Sequence, residues 1–341
     1  MSIPRCLIGI AGFLSIATAC LAQFDDPAEA AKANAAKGKA KVEEAAPEKI
    51  MAKGVQLDTP ETQLWTCGVN VRALGGPCGG LFGTISVPTD WPEQSVRMGK
   101  ENITAPVKKV SYRTLEGGVK QMLISVPQLD PGETARALVT FEVTRHSLKA
   151  PPDSSIFVLP KKMPLAIKKH LAPSPLIEAT QPKILKAAQE MIEGKSSAWE
   201  QVEAIYDGLR TRVKWENDKQ KGALAALNDG KADRDDITGL FVALCRSLKI
   251  PARMVWIPDS CYAEFYLEDE AGNGYWIPCY IANEAKEFGF VSTHAPILQK
   301  GDNIKVPEKK EVQRFVAEFL TGKGAGGGRP EVEFVRRLEI K

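Results

Sequence analysis

Histidine is nearly absent: three stand in 341 residues, at His146, His170 and His294. That leaves few candidates for a general base near neutral pH. No grouping of His, Cys, Asp and Glu has the spacing of a zinc or calcium site, so neither a metal nor another cofactor is expected. His146 ends a strand-like segment and His170 adjoins Lys168 and Lys169, and both read as solvated surface. His294, in the stretch 292–296, is the one candidate for a displaced base. The chain also lacks a basic run interleaved with aromatics, and its formal net charge is only +3, which argues against a nucleic-acid partner. Two phosphate-loop lookalikes fail. Gly194-Lys195-Ser196 has Gln189 where the loop needs glycine, and Gly322-Lys323 runs into Gly324 rather than Ser or Thr. No internal repeat is visible.

Long apolar runs are missing too, except from Cys6 to Leu21. With Arg5 before it and the small residues Cys20 and Ala22 at its end, segment 1–22 reads as a secretory signal too short to span a membrane. Export is expected, to a periplasmic or extracellular location. Membrane attachment would require lipidation at Cys20, against which Ala17 stands where a lipobox prefers a larger aliphatic. Residues 23–56 are rich in Ala, Lys and Glu and too poor in large apolar residues to build a core, so they read as a tether. The remaining stretch of about 285 residues suffices for two domains.

Beyond the signal stand Cys67, Cys78, Cys245, Cys261 and Cys279. In an exported protein Cys67 and Cys78, flanking Gly75-Gly76-Pro77, are disulfide candidates, and Cys261 with Cys279 form a second candidate pair. Cys245 reads as a buried free thiol.

Between 57 and 150, alternating segments at 63–73, 81–88, 107–115, 119–126 and 136–146 are separated by turn signals, a pattern that predicts a β-sandwich-like domain. A Pro-rich linker follows over 151–180. The next domain, 181–300, opens with two amphipathic helices, the second capped by Ser196 or Ser197. Ile237, Leu240, Phe241, Leu244 and Leu248 then make the stripe of a central helix that starts near Arg234 and is ended by Pro251. Strands are expected at 254–257, 261–267 and 275–281, the last two forming a hairpin around Gly272-Asn273-Gly274. Segment 301–341 should hold a helix near 311–320, a Gly-rich loop over 322–328 and a last strand over 332–340.

The order Trp215, Gly222-Ala223-Leu224, Leu240-Phe241 and Ile250-Pro251-Ala252-Arg253 resembles the transglutaminase-like superfamily over about 175–285. The resemblance implies an α+β domain of papain-like cysteine protease fold, in which a Cys at the helix start, a His on the next strand and an Asp on its neighbour perform acyl transfer. Such chemistry needs all three, because a thiol is a weak nucleophile until a base and a helix N-terminus favour the thiolate. Counted from Leu240, Glu264 and Trp276, those positions here hold Arg234, Ser260 and Tyr280. Placing Glu264 opposite Trp276 sets Ser260 opposite Tyr280, and puts Tyr262, Glu264 and Trp276 with them on one face of the hairpin.

Three readings follow. In the first, an exported protein without catalysis uses Arg234, Tyr262, Glu264, Tyr266, Trp276 and Tyr280, lining the former cleft, to bind a peptide, another protein or a cell-wall polymer. The bland counterpart has the aromatics packing under loops and Arg234 paired locally with Asp233, Asp235 and Asp236. The second reading is an active cysteine acyltransferase or peptidase with a relocated site. The third is an architectural module whose β-domain makes the contacts.

Overall fold

The computed structural model describes residues 54–217 and 219–340. The signal-like segment with Cys20, and the tether up to residue 53, lie outside the described residues. Among the described residues no helix is long and apolar enough to cross a membrane.

Six strands come first: β1 (Gln56–Leu74), β2 (Cys78–Val87), β3 (Gln94–Ile103), β4 (Lys109–Thr114), β5 (Lys120–Leu129) and β6 (Thr134–Lys149). Alternate residues are buried along β1 (Trp65, Cys67, Val69, Val71) and along β6 (Ala137, Val139, Phe141, Val143), the period-two signature of strands with one packed face. Their side chains share one core with Leu81 and Ile85 of β2 and Met122 and Ile124 of β5. The two antiparallel sheets run β15-β1-β6-β3 and β14-β2-β5-β4, so each is completed by a strand from the end of the chain.

Those strands are β14 (Phe319–Gly324) and β15 (Arg329–Ile340). They correct two expectations. The 301–341 segment returns to the β-rich part, with Cys67 opposite Arg336 and Thr84 opposite Phe319. No helix forms over 311–320: the apolar spacing of Val312, Phe315, Val316 and Phe319 imitates one, but Val316 fills a small core with Leu115 and Ile304, and Phe315 packs on Trp256. Tertiary packing overrides the local pattern.

The α+β part carries helices α1 (Leu165–Lys168), continued by a 3-10 turn over Lys169–Leu171, then α2 (Pro182–Met191), α3 (Ala198–Arg212), α4 (Ala223–Asp229) and α5 (Arg234–Ser247), with the short strands β7 (Lys214–Trp215) and β8 (Lys231–Ala232) between α3 and α5. Ser197 is the cap of α3 and forms a reciprocal capping box with Glu200. The central helix α5 begins at Arg234 as expected, but it is wrapped on all sides, with Val242, Ala243 and Cys245 as buried as the stripe residues. It lies on strands β9 (Ala252–Ile257) and β10 (Ser260–Glu268) of an antiparallel sheet ordered β12-β11-β10-β9-β13, where β11 is Gly274–Tyr280, β12 Glu287–Phe288 and β13 Gln299–Lys300.

One face of that sheet packs on the helices and the other meets the β-rich part. Gln94 exchanges hydrogen bonds with the backbone of Ile297, and Arg145, fully buried, donates to the Tyr262 hydroxyl at 3.1 Å. Lys300 donates to Glu93 at 2.5 Å and to Glu264 at 2.7 Å, with all three side chains buried. Burial alone would raise the Glu264 carboxyl, but Arg253 and Lys300 outweigh it and hold the group well below the usual carboxylate range.

Removing one partner from such a set leaves an uncompensated buried charge, so Lys300→Met should cost about 3–5 kcal/mol, read as an earlier first transition in urea. Since folding depresses the Glu264 pKa, its contribution is whole above the ordinary carboxylate value of 4.5 and is lost as pH falls below it. Lys300→Met should therefore flatten the stability-versus-pH curve on that acid limb.

Candidate functional site

The start of α5 is built by its acids. Asp233 accepts the Asp236 amide at 2.7 Å as the N-cap. Asp236, buried, accepts the Lys221 and Gly222 amides and pairs with Arg314 at 3.1 Å, fastening the preceding loop to the helix. Gly222 itself sits at φ +97°, and a Cβ there would stand 2.6 Å from a Glu178 carboxylate oxygen, so this turn requires glycine. Asp235 accepts from Gln220 and from the Cys261 thiol at 3.4 Å, and burial pushes its carboxyl up.

With the three acids so engaged, the expected local pairing of Arg234 does not form. Its guanidinium turns to the exposed Trp215, 5.3 Å from the ring centroid. Trp215 is brought there because the short strand Lys214–Trp215 pairs in parallel with Lys231–Ala232, just before the helix. The two side chains line a recess of about 290 Å³ together with Arg210, Lys214 and Glu284.

In the hairpin the observed register is two residues from the expected one: Glu264 faces Pro278 and Tyr266 faces Trp276. An even shift leaves every side chain on its own face. Ser260 and Tyr280 still meet, hydroxyl to hydroxyl at 2.5 Å, so the base and orienter positions found by counting are in contact. Burial raises the Tyr280 pKa, against smaller opposing effects of the Ser260 bond and the Arg234 charge, so the phenol stays protonated near neutral pH. Asp235 and Ser260 open on a different recess from Arg234, one of about 240 Å³ whose wall includes Trp256 and Phe315.

The other ligand-binding candidates are corrected. Tyr262 is fully buried under Arg145, and Glu264 is buried between Arg253 and Lys300, because the β-rich part covers the face on which they stand. Trp276 is half-buried, its ring under the Arg253 guanidinium at 3.9 Å and met edge-on by His170 at 5.1 Å. His170 is thus not solvated surface: burial, and next the Arg253 charge, bring its pKa down to about 3. His294 binds the Thr59 carbonyl and the Glu61 carboxylate, and His146 binds the Asp58 carbonyl. No histidine is hydrogen-bonded to Ser260 or Tyr280 among the described residues. These residues also form no group of three or more His, Cys, Asp or Glu able to hold a metal ion.

All five described cysteines are free and buried. Cys67 cannot reach Cys78: β1 continues from Cys67 to Leu74 before the turn, about 20 Å at strand rise, and the two strands belong to different sheets. In the second pair Cys279 faces Ala263, so Cys261 is two residues further along its strand. Burial pushes the Cys67 thiol up to about 12 and those of Cys261 and Cys279 well above their ordinary value.

Residues 185–281 match the family model described as the Transglutaminase-like superfamily. Among solved structures, a candidate cysteine protease from Cytophaga hutchinsonii is similar at 14% identity with a TM-score of 0.54, covering 84% of this chain and 100% of that one. A candidate protease from Parabacteroides distasonis aligns at 13% identity with a TM-score of 0.26, over 65% of this chain and 48% of that one. No curated protein matches. The first likeness supports the mixed α+β fold, in which residues 185–281 match the transglutaminase-like model and a β-rich part precedes them.

Mass spectrometry of the unreduced protein should find no link between Cys67 and Cys78, and a thiol reagent should modify the five cysteines of the described part only as the chain unfolds. Fast native labelling of Cys261 would mean that the Asp235 side of the helix start is open to reagents.

Proposed function

From the match of residues 185–281 to the transglutaminase-like superfamily, we propose that this protein is an exported, catalytically inactive form of that fold which binds instead of cleaving. The observation that carries the proposal is the fate of the three triad positions. Arg234 is a permanent cation stacked on Trp215, while Ser260 and Tyr280 share a hydrogen bond and neither titrates near neutral pH. The buried thiols, pushed toward the protonated form, speak against a relocated cysteine nucleophile. Export rests on the sequence of segment 1–22.

The covered hairpin face moves the binding surface to the helix start. There Arg234 has no ion-pair partner among the described residues and Trp215 is exposed, next to Lys214. A guanidinium on an indole suits a carboxylate carried by an extended chain, such as an acidic peptide or a cell-wall polymer. Replacing Trp215 by Ala should weaken retention on purified cell wall about tenfold, as loss of one stacking anchor does.

Purified protein should show no transglutaminase, peptidase or amidase turnover above the weak rate that binding alone sustains. The triple change Arg234→Cys, Ser260→His and Tyr280→Asp should create a thiol whose reactivity titrates below its ordinary pKa, since it would stand at the N-terminus of a 14-residue helix beside an imidazole. Turnover by the unaltered protein that survives alkylation of every cysteine would overturn the reading.

A further inference from the structure

A separate recess of about 440 Å³ opens toward the turn end of the β10–β11 hairpin, walled by the 3-10 turn at Lys169–Leu171, by Arg253 and Trp276, and by the loop after Lys300. Its volume falls in the range of small-molecule sites. Five Lys and Arg side chains line it against two acids, Glu116 and Asp302. Some of that charge is structural. Arg246 is neutralised by Asp302 in a bidentate pair at 2.8 Å, and Lys300 is held from behind by Glu93 and Glu264.

The rest is only partly engaged in the fold. Arg253 meets Glu264 through Nε and Nη2, at 2.7 and 2.6 Å, and lies flat on Trp276 at 3.9 Å, which fixes its plane and leaves Nη1 without a partner among the described residues. The Lys169 ammonium, exposed at the mouth, makes no hydrogen bond or ion pair among the described residues, where the Lys305 ammonium binds only the Lys310 carbonyl. Lys169 and Lys305 together outnumber the one uncommitted acid, Glu116. His170 stands edge-on to Trp276 with neither ring nitrogen hydrogen-bonded among the described residues, and as a neutral imidazole it offers one donor and one acceptor.

We propose that this recess binds a small organic anion, its carboxylate or phosphate held by Arg253 Nη1 and Lys169 and its neutral hydroxyl groups met by His170. The ordering of Arg253 before any ligand arrives is what separates this recess from a patch of surface lysines: the guanidinium plane is set by Glu264 on one edge and Trp276 on its face. The hydroxylated part is asked for by the imidazole, since a bare inorganic oxyanion would leave its acceptor nitrogen unmet. The proposal does not depend on the reading of the former cleft, which lies at the other end of the strands.

The test uses the full chain and follows the His170 ring protons by NMR at fixed ionic strength while galacturonate, glucose 6-phosphate or uncharged glucose is added. One of the two acids should give a saturable shift with a Kd below about 1 mM, and glucose none. The bound anion favours the imidazolium, so the His170 pKa should move up from about 3 as the acid saturates. Lys169→Glu, at an exposed position without partners, should leave the melting temperature unchanged and weaken binding at least about tenfold. Arg253→Lys, which keeps a cation for Glu264 and removes Nη1, should weaken it likewise. Absence of saturation with both acids, an equal response to glucose, or unchanged binding in the folded Lys169→Glu protein would overturn the proposal.

Discussion

The Lys300 ammonium, buried between Glu93 of the β-rich part and Glu264 of the sheet, is the interaction on which the rest of the architecture depends. A buried charge must be met on every side, so it admits one placement of the two parts and no slip between them. Its net stabilisation against an apolar replacement can be small, whereas stranding any one partner is costly. From this placement follows the closure of the outer hairpin face: Tyr262 is capped by Arg145, Glu264 is enclosed, and the space left to ligands is pushed to the two ends of the strands. An aromatic-rich strand face thus became an interface rather than a groove.

What was legible in the sequence were features with a period or a stop signal. The alternation of β1 and β6, the apolar spacing of α5 and its end before Pro251 needed no distant partner to be read. The segment from Gln94 to Ile103 escaped because it is a mostly exposed edge strand carrying Arg97, Lys100 and Glu101, whose apolar alternation is confined to Val96 and Met98. The hairpin stands two residues from the expected register, and its loop is organised by Asp269, whose carboxylate accepts the Ala271 and Asn273 amides.

The site was legible as positions and not as contacts. Counting from Leu240, Glu264 and Trp276 picked out Arg234, Ser260 and Tyr280, and the last two touch, since an even register shift conserves faces. The cysteine pairs failed for the complementary reason. A disulfide depends on separation along the strand, and a two-residue slip moves Cys261 off Cys279 while leaving both on the core face. Polar links such as Lys300 to Glu93, 207 positions apart, carry no local signal at all.

The chemistry at the helix start is coherent without a nucleophile. A cation at a helix N-terminus is opposed by the backbone dipole, and Asp233, Asp235 and Asp236 surround Arg234 with the charge that offsets it. None of these acids pairs with the arginine. Each holds a backbone or side-chain donor that a thiolate at this position would leave equally in place. Arg234, Ser260 and Tyr280 have meanwhile acquired partners of their own, and no buried polar atom of theirs is left unmet. Satisfied polar groups at these three positions are what a folded, packed helix start requires, whatever chemistry it serves.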